Sequence, residues 1–151
     1  MNQNTELLLS IRSVIRLYDR QVRAAGQRYG LGQTEVDVLA FLFNNPGRDT
    51  ARDIVALRML PKGSVSQTVE TLIRRGLLRR RQDEADRRCI HLALTETALP
   101  IAEALAAAQR EFQSALFCGF SPAERAQYEA FCRRVFENAA GALKGSDPHD
   151  Q

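Results

Sequence analysis

No tryptophan occurs in the 151 residues, histidine appears twice and cysteine three times. No apolar run approaches the eighteen or more residues that a membrane span needs. The start, MNQNTELLLS, lacks the basic residues and long apolar stretch of a secretory signal, so a cytoplasmic location without membrane attachment is expected. Cys89, Cys118 and Cys132 are odd in number and show no C-x-x-C spacing, which argues against a disulfide framework and a structural zinc site. They are expected to be reduced thiols. With only His91 and His149, the chain offers no nucleophile-base-orienter set, no metal cluster and no glycine-rich phosphate loop. The expectation is a protein without enzyme activity, metal or cofactor.

What is present is ordinary globular material: 44% hydrophobic and 26% charged residues, enough to bury a core in one domain. The net charge of +3 is mild, but it is concentrated. Between Lys62 and His91 stand eight Lys and Arg against four acids, a local excess of four that suggests a polyanionic partner.

The hydrophobic rhythm predicts a mainly α-helical chain with one small β-hairpin. Leu7, Ile11, Val14, Ile15, Tyr18 and Val22 recur at helical spacing and predict an amphipathic helix over about 5–28. After the YGLGQ break, Thr34 is the expected cap of a helix facing inward through Val36, Leu39, Ala40 and Phe43. Thr50 and Asp53 form a weak capping signal for a short helix carrying Ile54 and Leu57. A further helix is predicted from Lys62 to Arg75, with Val65, Val69, Leu72 and Ile73 inward and Gly76 past its end. Leu77–Gln82 and Cys89–Leu94, separated by six mostly charged residues, read as a hairpin. Thr95 is expected to cap a helix carrying Ile101, Leu105, Ala108, Phe112 and Leu116. Ser121, Pro122 and Glu124 mark the start of the last helix, with Tyr128, Phe131, Cys132, Val135 and Phe136 along it. The tail, 144–151, is expected to be disordered.

Two short helices with a tight turn, the second presenting small polar and basic side chains and followed at once by a basic hairpin, make a winged helix-turn-helix. In such a motif the second helix fits the major groove, where Gln67 suits the adenine N6/N7 pair and Lys, Ser and Thr reach phosphates and base edges. Lys62, Gly63, Ser64, Ser66, Gln67, Thr68 and Arg74 are the candidates for this contact. The hairpin tip would lie along the minor groove, with Arg88 inserted, Arg87 on a phosphate and Asp86 holding the Arg88 guanidinium. Such a face lacks the aromatic and aliphatic anchors of a protein-protein module, the rival use of a winged helix.

KGSVSQTVETLIRRGLL (62–78) followed by DEADRRCIHLALT (83–95) resembles the MarR family of bacterial transcription regulators. That family's wing reads D-x-R-x-x-x-L-x-L-T-x-x-G, and Asp86, Arg88, Leu92, Leu94 and Thr95 fall on it. Lys62, Gly63, Val65 and Ser66 fall on the start of the recognition helix. Family members often carry Arg where Gln67 stands, the closing glycine is here Ala98, and Pro100 falls in the first turns of the next helix, where its missing N–H is expected to bend the path. The resemblance implies one MarR-like domain, with the winged helix-turn-helix over about 33–95 and helical dimerisation parts over about 5–28 and 96–143. It also implies a homodimeric repressor on an inverted-repeat operator in double-stranded DNA, released by a small aromatic or phenolic ligand for which Arg16 and Tyr18 are candidate contacts. A thiol-based redox sensor is the alternative. Cys89 beside Arg87 and Arg88 is its candidate, because positive charge favours the thiolate; Cys118 and Cys132 read as core or interface residues.

Overall fold

The computed structural model describes residues 2–58 and 60–144; nearly all of the tail over 144–151, expected to be disordered, lies outside the described residues. Helix α1 (Gln3–Tyr18) passes through a single π-helical turn (Asp19–Arg23) into α2 (Ala24–Gln27). Then follow α3 (Gln33–Asn44), α4 (Ala51–Arg58), α5 (Lys62–Arg74), β1 (Leu78–Gln82), β2 (Ile90–Leu94), α6 (Leu99–Leu116) and α7 (Pro122–Lys144). Two compact units result, the first ending at Gln113 and the second beginning at Ser114.

Local chemistry accounts for most of these boundaries. Thr50 Oγ1 accepts the Asp53 N–H at 3.1 Å while Asp53 Oδ2 accepts the Thr50 N–H at 3.1 Å, a reciprocal box that starts α4. Ser121 and Glu124 do the same for α7, at 3.2 and 2.8 Å. The α3 cap differs from expectation. The helix begins one residue before Thr34, and Glu35 reaches back to the Gly32 N–H at 2.8 Å, because the chain enters from an extended Gly32 that has no side chain to offer. Gly76, at φ +70°, ends α5 with its N–H on the Ile73 carbonyl, a conformation that costs glycine little. Pro100 stands second in α6, where a missing N–H breaks no helical bond, so the expected bend has no cause there.

The core of the first unit is built around α3, of which Val36, Val38, Leu39, Ala40, Phe41 and Leu42 are all buried. Phe43, expected inward, is only half-buried. Ile54 of α4, Val65, Val69 and Leu72 of α5, and Leu77, Leu78 and Leu92 of the hairpin close on it, with Val22, Leu105 and Ala108. Full burial of side chains this size stabilises by roughly 1.5–3 kcal/mol each. The hairpin is antiparallel, with Leu78 opposite Leu94, Arg80 opposite Leu92 and Arg81 opposite His91. Thr50 bridges to His91, and Asp49 accepts the Leu92 N–H at 2.7 Å, so the segment before α4 runs beside β2. The hairpin is therefore tied to the helix pair it follows.

In the second unit Phe117, Phe120 and Tyr128 pack edge to face at 5.4–6.5 Å. The Arg125 guanidinium lies 4.5 Å from the Phe117 ring centroid.

Candidate nucleic-acid interface

Three apolar residues hold α5 in place, and its remaining surface is turned outward as a consequence. Val65, Val69 and Leu72 are buried, Thr68 and Thr71 are half-buried, and Lys62, Gly63, Ser64, Ser66, Gln67, Glu70 and Arg74 are exposed. The residues that the sequence singled out on this helix thus share the face away from the core, apart from Thr68 on its border. Arg74 donates only to the Thr71 hydroxyl, at 3.2 Å. Glu70 is taken by Arg80 of β1, which removes the one acid from the face. An open groove of about 350 Å³ between α4 and α5 is lined by Ala51, Arg52, Val55, Lys62, Val65 and Ser66.

The hairpin adds cations beside this helix. Arg79, Arg80 and Arg81 are exposed along β1, and Arg87 and Arg88 at the tip. Among the described residues Lys62, Arg74, Arg79, Arg87 and Arg88 take part in no ion pair, which leaves five cations of α5 and the hairpin uncompensated. The tip is shaped by acids acting on the backbone. Asp83 Oδ1 accepts the Ala85 and Asp86 N–H groups at 2.8 and 2.7 Å, and Asp86 Oδ1 accepts the Arg88 N–H at 3.0 Å. The Asp86 carboxylate was expected on the Arg88 guanidinium; among the described residues it makes no ion pair and instead closes a local turn through the main chain, the nearby N–H being the competing partner. These N–H bonds, the Asp86 one foremost, and the His91 ring hold the Asp83 carboxyl down at about 2.

Sequence reasoning missed the histidine. His91 Nδ1 lies 2.5 Å from Asp49 Oδ1 and Nε2 lies 2.9 Å from Asp83 Oδ2. The two carboxylates, Asp49 foremost, raise the imidazole above its ordinary range. Cys89, half-buried, has its Sγ 3.9 Å from His91 Nε2. Cys118 and Cys132, expected in the core or an interface, are both exposed in this chain; among the described side chains of α7 none is fully buried.

A second feature of the first unit is an open cleft of about 500 Å³ lined by Val14, Ile15, Tyr18, Asp19, Gln33, Asp37, Arg58 and Phe112. Tyr18 stands edge to face with Phe112 at 5.3 Å and accepts from Gln109 at 2.9 Å. Arg58 pairs with the buried Asp37 at 2.5 Å, yet Arg58 Nε and Gln33 Oε1 are buried without a partner. Tyr18, singled out in the sequence, is in this wall; Arg16 is exposed on α1 and does not line it. The Asp37–Arg58 pair, 21 positions apart, carries no sequence signal.

Among the described residues, no three His, Cys, Asp or Glu side chains are arranged to hold a metal ion, and no helix is long and apolar enough to cross a membrane.

Residues 29–88 match the model of the MarR family. Among curated proteins none matches the chain. The fold is similar to that of a MarR transcriptional regulator from Methanosarcina mazei Go1, at 21% identity and TM-score 0.74, covering 91% of this chain and 99% of that one. It is similar to S. aureus MepR, solved as a DNA complex, at 18% identity and TM-score 0.69, with 91% and 98% covered. Bordetella bronchiseptica BpsR, whose DNA binding is regulated by 6-hydroxynicotinic acid, aligns at 20% identity and TM-score 0.65, with 89% and 92% covered. Over residues 29–88 the chain thus matches the MarR family model, and its overall fold is the one that solved MarR regulators share.

Proposed function

We propose that the chain is a cytoplasmic, sequence-specific regulator of transcription that binds double-stranded DNA as a homodimer and acts as a repressor on an inverted-repeat operator. The observation that carries this reading is the pairing of two polar, cationic surfaces on one buried frame. The outward face of α5 offers Lys62, Ser66, Gln67 and Arg74, and the next element brings Arg87 and Arg88. Uncompensated cations on a duplex-sized feature displace counterions from phosphates, which supplies affinity. Gln67 reads a base edge in the major groove, Thr68 and Ser64 contact the backbone, and Arg88 enters the adjacent minor groove. The DNA complex of MepR, alike in fold, supports the assignment.

Homodimerisation is supported by apolar faces that this chain leaves uncovered. Leu7, Ile11 and Ile15 of α1 are 55%, 47% and 52% exposed, and Phe131 and Phe136 of α7 are exposed to a similar degree. Two-fold pairing would bury them and set two α5 helices about one DNA turn, about 34–36 Å, apart. The cleft walled by Tyr18 and Phe112 suits a flat aromatic ligand, and Gln33 and Arg58 in its lining suit a polar group on it. Such a compound releases DNA if it favours a spacing of the α5 helices that misses the operator. BpsR, with 6-hydroxynicotinic acid, gives the precedent for an aromatic acid. A redox reading rests on Cys89 alone, flanked by Arg88 and half-buried; unchanged duplex affinity after peroxide, with the thiol still free, rules it out.

Selection of bound duplexes from a random pool, at a stated salt concentration, tests the central claim and reports half-site spacing. On the selected site Arg88→Ala weakens binding to every duplex. Gln67→Ala alters preference at one base pair by about 1–3 kcal/mol with less effect on overall affinity. Parental binding by both variants would refute the assignment.

A further inference from the structure

His91 links three segments: Asp49 before α4, 42 positions earlier, β2, on which it stands, and Asp83 at the start of the wing turn. A neutral imidazole has one N–H and can donate to one acceptor. Here each ring nitrogen faces a carboxylate oxygen, at 2.5 and 2.9 Å, so only the imidazolium satisfies both contacts. Loss of the proton leaves a lone pair against a carboxylate on one side. The remaining charged neighbours do not replace it. Arg81, opposite His91 on β1, lies 4.0 Å from the other oxygen of Asp49. On the α4 side Asp53 is occupied by Thr50 and Arg48, and Cys89 stands beside the ring.

The bridge sits where the wing can be aimed. Asp83 also holds the Ala85 and Asp86 N–H groups, and Asp86 holds that of Arg88, so the carboxylate gripped by His91 organises the turn that presents Arg87 and Arg88. Asp49, on the other side, precedes the Thr50–Asp53 box that starts the helix-turn-helix. We propose that His91 is a positioning residue for the wing: as an imidazolium between Asp49 and Asp83 it holds the Arg87–Arg88 turn in register with the helix-turn-helix, and loss of its proton weakens the grip on duplex. The inference rests on the DNA-binding reading above for its effect on affinity, but not for the bridge itself. Both carboxylates raise the ring's proton affinity above the ordinary 6.5 of histidine. The bridge is therefore complete below that value and is lost as the pH rises through the raised one.

The test uses the full chain in a Cys89→Ser background, which silences the neighbouring thiol. With a selected duplex at fixed salt, affinity falls about three- to tenfold between about pH 6 and about pH 8.5, while His91→Gln is flat and weak throughout. Should His91→Gln reproduce the pH profile of the histidine protein, the proposal fails. If that variant does not fold, Asp49→Asn carries the test, because it keeps the Asp49 carbonyl on Leu92 and should move the loss of affinity to lower pH; an unmoved profile refutes the proposal. A second arm needs no DNA: ring ¹⁵N shifts and amide exchange at Ala85, Asp86 and Arg88. Expected are a doubly protonated ring near neutral pH and exchange that rises severalfold as the ring titrates. A singly protonated ring at about pH 6, or exchange indifferent to the titration, overturns the bridge. A parent that binds no duplex at any pH, with the second arm as expected, upholds the bridge and removes the DNA-binding reading instead.

Discussion

Arg75, the residue that follows α5, is the perturbation that reports most directly on how the recognition helix is anchored. Its guanidinium donates from Nη1 to the Gly30 carbonyl at 3.1 Å and to Glu35 Oε1 at 3.0 Å, and from Nη2 to the Tyr29 carbonyl at 3.0 Å. One side chain thus ties the end of α5 to the turn after α2 and to the first turn of α3. Charge-assisted bonds of this kind contribute about 1.5–3 kcal/mol each when well shielded. Two considerations reduce the sum. The Arg75 side chain is 34% exposed, so water screens it, and Tyr29 and Gly30 recover solvent when it is removed. Glu35 also keeps the Gly32 N–H at 2.8 Å. A loss of about 1–2 kcal/mol is therefore expected for Arg75→Ala, a fall in Tm of roughly 2–8 °C at this chain length. Arg75→Lys should recover less than half, since an ammonium cannot fork between Glu35 and two carbonyls. Calorimetry with matched urea melts measures both. A variant as stable as the parent, or full recovery by lysine, would refute the argument that the fork geometry anchors α5.

Three further outcomes follow from the same kind of reasoning. A Cβ on Gly26 would clash with Val36 Cγ2, so overpacking of about 1–3 kcal/mol should outweigh the about 1 kcal/mol that alanine gains in a helix, and Gly26→Ala should lower stability in urea melts. Thr50→Ala removes both the hydroxyl that caps α4 and its 2.6 Å bond to Asp53, at a cost of about 0.5–2 kcal/mol, read as faster amide exchange in the first turn of α4. Asp83, ordinarily at 3.8, is held at about 2, so its contribution to the wing turn is complete above 3.8 and is lost as the pH falls toward 2. Exchange at Ala85 and Asp86 should rise in that interval, and an Asp83→Asn protein should show no such rise.

Much was legible in the chain because it depends on neighbours within about one helical turn. The periodicity of Val65, Val69 and Leu72 predicted which side of α5 would be buried, and therefore that Gln67, Ser66 and Lys62 would face out. The boxes at Thr50–Asp53 and Ser121–Glu124 and the turn at Gly76 are equally local, each closed by atoms three or four residues apart. Where a local reading missed, a nearer partner had won: Glu35 on the Gly32 N–H rather than Thr34 as the cap, and Asp86 on the Arg88 main chain rather than its guanidinium.

Only the tertiary structure could decide the contacts between distant segments. His91 looked like one more polar residue on a strand until the pairing of Thr50 with His91 brought Asp49, 42 positions earlier, onto its ring. The partner of Arg58 was set by the packing of α3, which delivered Asp37, and Arg75 looked like a basic residue at a helix end until the turn at Tyr29 and Gly30 folded back over it. The physical reason is the same in each case. Burial patterns, caps and turns are written in local spacing, whereas which charge meets which depends on strand register and helix packing, and those are properties of the whole fold.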